Sequence, residues 1–234
     1  RWNSLNRSRY HQLFTQLARR GHTVHILQPP STQNTSDTGF MSVPDTPQEG
    51  IFLHDIEVNP QFWNANLPFN KIFKKGYYCF LINQQVDRWI KDLSIDVLLF
   101  YNLALYPLSQ KESCFKIYDL GDDHAELFKA ELGPLHYLGA TRLVETLMIK
   151  MMQNCDLVTT ISKDLEKRYP VPSTLLSNGV NLTDTHPGEG QALRAALNKP
   201  VVGFVGSLEY FIDFDMMLET ASKMPNVTFL IAGG

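Results

Sequence analysis

Apolar positions at Tyr10, Leu13, Phe14, Leu17 and Ala18 recur at the spacing of one helical face, with Asn6 or Ser8 placed to cap the start and Gly21 to end the run. Thr23 to Leu27 then alternates as a short strand. A second amphipathic helix is marked by Tyr78, Leu81, Ile82, Val86, Trp89, Ile90 and Leu93, and the buried-type strand Asp96 to Tyr101 follows it. Phe115 to Leu120 reads as a strand, Ala140 to Gln153 as a helix, Leu157 to Ile161 as a strand, Ser162 to Tyr169 as a short helix and Thr174 to Ser177 as a strand. Strands alternate with helices throughout, the pattern of a doubly wound α/β fold with a parallel sheet covered on both faces.

The pattern restarts at Pro200. Val201 to Val205 is a strand ending on Gly206, Asp213 can cap a helix whose buried face holds Met217, Ala221 and Met224, Pro225 stops that helix, and Val227 to Ala232 is the next strand. The expected organisation is therefore an N-terminal Rossmann-like domain over 1–180, a connector over 181–199 and the first βαβ unit of a second Rossmann-like domain over 200–234. A parallel sheet of this kind would call for a strand before Arg1 and several more after Ala232, so the chain reads as a truncated part of a two-domain protein and is expected to be inactive by itself.

Between the first strand and the second helix the pattern fails. Residues 31–50 are polar, with two prolines and two glycines, and read as a mobile loop. Phe52, Phe62, Trp63, Phe69 and Phe73 interleave with Lys71, Lys74 and Lys75 without clear period. That stretch is read either as ordinary loop packing or as a surface touching a lipid-linked acceptor or an anionic leaflet.

Composition narrows the class. Of 234 residues 44% are hydrophobic and 19% charged, enough for a packed core. A net charge of −3 argues against a nucleic-acid partner, because neutralising a phosphate backbone calls for a basic excess. Cys79, Cys114 and Cys155 are odd in number and widely spaced, which suits a reducing cytosol. No apolar run is long enough to span a bilayer, so the expected location is cytoplasmic, with peripheral contact at the inner face of the membrane as the variant that the aromatic and basic stretch suggests.

Ligands of open α/β sheets bind at the carboxyl ends of strands. That rule selects Gly206-Ser207, the run Asp119-Leu-Gly-Asp122-Asp123-His124, Asn102, and the segment Arg1 to Arg9 that contains Arg7. A glycine turn lets an anionic phosphate approach free backbone N–H groups, although it is equally a plain tight turn, and the full G-x-G-x-x-G spacing is absent. Three carboxylates and an imidazole within six residues should repel, raising some pKa values or sharing a cation or substrate hydroxyls. The structural alternative is that Asp122 caps the next helix and Asp119 is a turn residue. Two carboxylates and a histidine could also ligate a metal, but their spacing fits no strong metal pattern, and no metal is assigned. His22, His25, His54, His136 and His186 have no partner at catalytic spacing.

The segments Asp156-Leu-Val-Thr-Thr-Ile-Ser162, Leu176-Ser-Asn178-Gly179-Val180-Asn181 and Val201-Val-Gly-Phe-Val-Gly206-Ser207-Leu208 together resemble the retaining GT-B glycosyltransferases of the group 1 type. Arg7 to Val24, Tyr118 to Asp123 and Tyr210-Phe-Ile-Asp213-Phe-Asp215 resemble, within them, the branch of teichuronic-acid-type and related cell-surface polysaccharide transferases. The resemblance implies a nucleotide-sugar donor as co-substrate with no separate cofactor, a glycan or lipid-linked acceptor, and transfer with retention. It further implies front-face attack in which the leaving phosphate helps to deprotonate the acceptor. Asp122, Asp123 and His124 become candidate catalytic residues; Arg7, Asn102 and Asp119 candidate substrate-binding residues; and Gly206, Ser207 and Asp213 candidate donor-binding residues. Many relatives of that type carry an Arg after the glycine turn and a Lys-Gly pair soon afterwards, where this chain has Ser207-Leu208 and Asp213-Phe214. The alternative function is a non-catalytic nucleotide-sugar-binding or scaffold protein of a polysaccharide assembly system.

Overall fold

The computed structural model describes residues 9–28, 49–59, 61, 70–112, 114–132, 139–179, 190–197, 200–208 and 212–233. The chain divides into two units, Arg1–Val180 and Asn181–Gly234, described here one at a time.

In the first unit, helix α1 (Arg9–Arg19) leads into strand β1 (Val24–Gln28). Strand β2 (Ile51–Asp55) lies parallel to β1, with Val24 beside Ile51 and Gln28 beside Asp55. This strand was not predicted: its Ile, Phe and Leu run straight into the aromatic stretch, and pairing with a strand more than twenty residues earlier leaves no local mark. Its entry depends on Gly50, whose φ of +88° lies in the left-handed region, where a Cβ would also come within 3.3 Å of the His22 carbonyl.

Helix α2 (Asn70–Asp92) buries Ile82, Val86 and Ile90, the stripe read from the sequence, and begins a full two turns earlier than that stripe. It also buries Gln85. The Gln85 amide donates to the Glu57 carbonyl at 3.0 Å and accepts from the Glu57 N–H at 3.2 Å, so one side chain satisfies both backbone groups where the chain leaves β2.

Four further parallel strands, β3 (Val97–Phe100), β4 (Phe115–Leu120), β5 (Leu157–Thr160) and β6 (Thr174–Leu175), stand in that spatial order. Their crossovers carry a 3₁₀ turn (Leu103–Leu105) continuing into α3 (Tyr106–Ser109), then α4 (His124–Leu132) with α5 (Ala140–Gln153), then α6 (Lys163–Arg168). Ser162 caps α6 by accepting from the Leu165 N–H at 3.2 Å. The core is one cluster in which Phe100 and Tyr118 from the sheet meet Leu108, Met148, Met151 and Met152 from the helices, and Leu27 of β1 packs on the same cluster. One ammonium lies in this interior: Lys116 Nζ donates to the carbonyls of Ser109 and Lys111 at 3.0 Å each.

The second unit contains α7 (Gly190–Ala196), β7 (Val201–Val205), α8 (Phe214–Lys223) and β8 (Thr228–Ala232). Strands β7 and β8 are parallel, with Val201 beside Thr228 and Val205 beside Ala232, which makes one βαβ unit. Asp213 caps α8 as its sequence position predicts, its Oδ1 accepting from the Met216 N–H at 2.8 Å. Met217 and Ala221 are half-buried, but Met224, expected on the buried face, is 43% exposed because the helix has already ended at Lys223. Of the connector, 181–189 lies outside the described residues and α7 begins at Gly190. Among the described residues no helix is long and apolar enough to cross a membrane.

Candidate functional site

Strand β4 delivers the acidic run to the carboxyl edge of the sheet. Its last three residues, Tyr118, Asp119 and Leu120, are all fully buried, so Asp119 enters the interior as a charge that must be met there. Arg9, the first residue of α1, meets it: Nε donates to Oδ2 at 2.8 Å and Nη2 to Oδ1 at 2.9 Å, a two-pronged pair. Thr159, beside Asp119 in the β4–β5 register, donates its hydroxyl to Oδ1 at 2.6 Å. The third guanidinium nitrogen, Nη1, donates to Asn178 Oδ1 at 3.1 Å. The hydrogen bond to Asp119, opposed by burial, holds the guanidinium above its ordinary pKa. Burial first, then the charge of Asp119 and a hydrogen bond to it, push the neighbouring Tyr10 hydroxyl far up. Asp119 is thus neither a turn residue nor an open carboxylate but the buried centre of a hub joining α1, β4, β5 and the end of the unit.

The next three residues separate in role. Asp122 is exposed, and its backbone carbonyl accepts from the His124 N–H at 3.0 Å. Asp123, and not Asp122, caps α4, accepting from the Glu126 N–H at 3.3 Å. It also accepts from the Tyr169 hydroxyl at 2.6 Å and from Arg168 Nε at 3.1 Å, and Arg168 reaches on to Glu145 at 3.2 Å. Burial pushes the Asp123 carboxyl up, but the Tyr169 hydroxyl, the Arg168 guanidinium and the Glu126 N–H outweigh it and hold the group below the usual carboxylate range. The expected rise from like-charge crowding does not occur there, because donors brought in by α6 serve this carboxylate.

His124 opens α4 and sends Nε2 to the Tyr101 carbonyl at 2.7 Å. A carbonyl only accepts, so Nε2 carries the hydrogen, and in the neutral ring Nδ1 is left with a lone pair. Tyr101, just past β3, is 44% exposed, and its ring leans on Tyr10 with centroids 4.7 Å apart. Asn102 follows it and caps the 3₁₀ turn through Oδ1, which accepts from the Ala104 N–H at 2.9 Å. Asn102, Asp119 and His124 therefore stand at the carboxyl ends of β3 and β4, with Asp122 exposed beside them, whereas Arg7 lies outside the described residues.

In the second unit the strand end is built from backbone. The Gly206 N–H, expected to be free, donates to the Ala232 carbonyl at 3.1 Å and continues the sheet. A Cβ on Gly233 would collide with the Gly206 carbonyl, so the two glycine backbones lie directly against each other. Ser207 follows with no hydrogen-bond partner among the described residues, and the Asp213 carboxylate is engaged in its cap.

Several partners escaped sequence reading. Arg9 ends the segment Arg1 to Arg9 that the strand-end rule selects, but no partner for it is legible in the sequence; Tyr10 reads only as part of a helix, and Thr159, Arg168, Tyr169 and Asn178 carry no local sign of their contacts. His25 and His54, set aside for want of a partner, are each other's: Nδ1 and Nε2 are 2.9 Å apart, on adjacent strands, and the His54 ring also meets Trp89 of α2 at a tilt. Among the described residues no group of three or more His, Cys, Asp or Glu is placed to hold a metal ion.

No family model matches the chain. It is similar to curated D-inositol 3-phosphate glycosyltransferases: 31% identical over 105 residues to that of Mycobacterium leprae (strain Br4923), over 43% of this chain and 24% of the relative. The same identity and length hold for the proteins of Mycobacterium sp. (strain KMS), at 24% of the relative, and Mycobacterium tuberculosis (strain F11), at 22%. The match therefore spans about a quarter of the length of these relatives. Their names point to a small phosphorylated acceptor and give no support to a teichuronic-acid branch. With parallel sheets and alternating helices, the chain has the Rossmann-like α/β fold of GT-B enzymes and is a distant homologue of glycosyltransferases.

Proposed function

We propose that the protein acts in transfer of a sugar from a nucleotide-sugar donor to a hydroxyl of a glycan or lipid-linked acceptor, with retention at the anomeric carbon. The single observation that carries this reading is the tethered His124, whose Nδ1 is left to accept a hydrogen bond beside the partly exposed Tyr101 at the carboxyl edge of a Rossmann-like sheet. The homology to glycosyltransferases supports it.

In this reading the bond from the anomeric carbon to the donor phosphate breaks and the acceptor oxygen forms its bond on the same face. The acceptor proton passes to the departing phosphate oxygen. His124 Nδ1 and Asp122 hold the acceptor by its hydroxyls, and Asp119 acts through Arg9 and Tyr10 as a positioning residue. The turn Gly206-Ser207 takes the donor diphosphate, where the Ser207 N–H and the absence of side-chain bulk suit close approach of an anion.

Nucleotide release and product formation by the full-length protein, measured across a panel of nucleotide sugars, test the reading. Transfer should be detected and should fall about 10²-fold in His124→Ala, the scale of losing one acid–base or orienting group. Unchanged turnover in His124→Ala would remove the site assignment. One observation favours the alternative of a non-catalytic binding or scaffold protein: two carboxylates of the acidic run, Asp119 and Asp123, are already taken up by structural partners. Donor binding without turnover of any nucleotide sugar would decide for it.

A further inference from the structure

The region around Tyr101 carries information about the acceptor itself. Its ring leans on Tyr10 from one side, its carbonyl is fixed by His124, and the residue as a whole is 44% exposed while burial pushes its hydroxyl pKa up. Polar groups with capacity to spare stand at the same strand ends. Asn102 uses Oδ1 in its cap and leaves the Nδ2 hydrogens without a partner among the described residues. His124 keeps Nδ1, and the Asp122 carboxylate is exposed.

Among the described residues, the positive charge at this edge is already committed. All three nitrogens of the Arg9 guanidinium are engaged, two pointing to Asp119 and one to Asn178. Arg168 is divided among Asp123, Glu126 and Glu145. Each of these arginines is paired with carboxylate, whereas the Asp122 carboxylate, just before His124 in the chain, has no counter-charge among the described residues. A phosphate monoester is recognised by cationic and N–H donors with free capacity, and it would meet Asp122 instead. An uncharged sugar ring suits the same groups, with its C–H face on the Tyr101 ring and its hydroxyls donating to Asp122 and His124 Nδ1 and accepting from Asn102 Nδ2.

We infer that the acceptor subsite takes an uncharged glycoside stacked on Tyr101, and not a phosphorylated polyol. This inference rests on the transferase reading for the word acceptor, but its test reads binding and not turnover. Saturation-transfer NMR on the protein would compare methyl α-D-glucopyranoside with glucose 6-phosphate. The neutral glycoside should receive saturation at its ring protons and bind at least as tightly as the phosphate. Tyr101→Ala should weaken it about three- to tenfold, the range of one aromatic contact, and Tyr101→Phe should restore it. Circular dichroism on each variant checks that the fold is kept.

Glucose 6-phosphate binding about tenfold more tightly than the glycoside would overturn the inference, since that is the gain expected from an available cation. Unchanged glycoside binding in a folded Tyr101→Ala would overturn it as well. Loss of the neutral-sugar preference with donor turnover intact removes only the acceptor assignment. Tyr101-dependent glycoside binding in a full-length protein that turns over no nucleotide sugar removes only the transferase reading.

Discussion

The carboxyl ends of β4 and β7 solve the same problem with opposite materials. At β4 the chain presents charged side chains and locks most of them: Asp119 is buried under Arg9 and Thr159, and the half-buried Asp123 is held by Tyr169 and Arg168. At β7 it presents backbone, with Gly206 bonded to Ala232 and pressed against Gly233. The first end is vulnerable to the loss of a charge, the second to the gain of a single carbon.

Removing Arg9 should do the most damage. Arg9→Ala leaves the Asp119 carboxylate, 1% exposed, without its counter-charge. Breaking one side of such a pair costs about 3–5 kcal/mol, and urea unfolding should report it. A loss under about 1 kcal/mol would mean that water reaches Asp119 and that the hub is an ordinary surface pair. At the other end, Gly233→Ala puts a methyl group on the Gly206 carbonyl, and the strands must part locally at a cost of about 1–3 kcal/mol. Hydrogen exchange at Gly206 and along β8 should accelerate while β4 and β5 stay protected. Unchanged protection in β8 would show that the close glycine contact does not constrain the strand end.

The smallest expected effect is a dependence on pH that separates the two kinds of titrating group. Burial first and the neighbouring His54 second lower the His25 pKa below its ordinary 6.5. The folded state therefore disfavours the His25 proton: stability is fully present above 6.5 and declines as pH falls through the lowered folded value. Asp123, also lowered, contributes stability that is present above 3.8 and is lost only as pH falls further, through its own folded value. Thermal melts should show a modest drop between about pH 7 and 5, absent in His25→Gln, before any acid transition that Tyr169→Phe moves. A drop of the same size in His25→Gln would assign the upper window to other groups.

Elements made of local pattern were legible in the sequence. The strand Phe115–Leu120 and the helix Ala140–Gln153 have the limits read from periodicity, and the Asp213 cap follows from residue type and position. Legibility failed where partners are distant. Arg9 and Asp119 are 110 residues apart, Asp119 and Thr159 40, and Asp123 and Tyr169 46. The acidic run stood out because its members are adjacent, but which carboxylate is sequestered and which is exposed depends on groups that only the fold brings in. The one-residue shift of the helix cap from Asp122 to Asp123 decided that assignment, and it turned on where the helix began, at His124. The histidine pair was invisible for the same reason, since β2 itself was.

The Arg9–Asn178 contact also has a consequence in time. It joins groups 169 residues apart, at opposite limits of the described first unit. A bond that closes so long a loop forms only after the intervening sheet has brought its two ends together, so the Arg9 hub belongs to the end of folding and not to its nucleus. Groups that assemble after the rate-limiting step set how fast a protein comes apart more than how fast it forms. The arginine that holds this strand edge in shape is thus also a latch on the lifetime of the folded state.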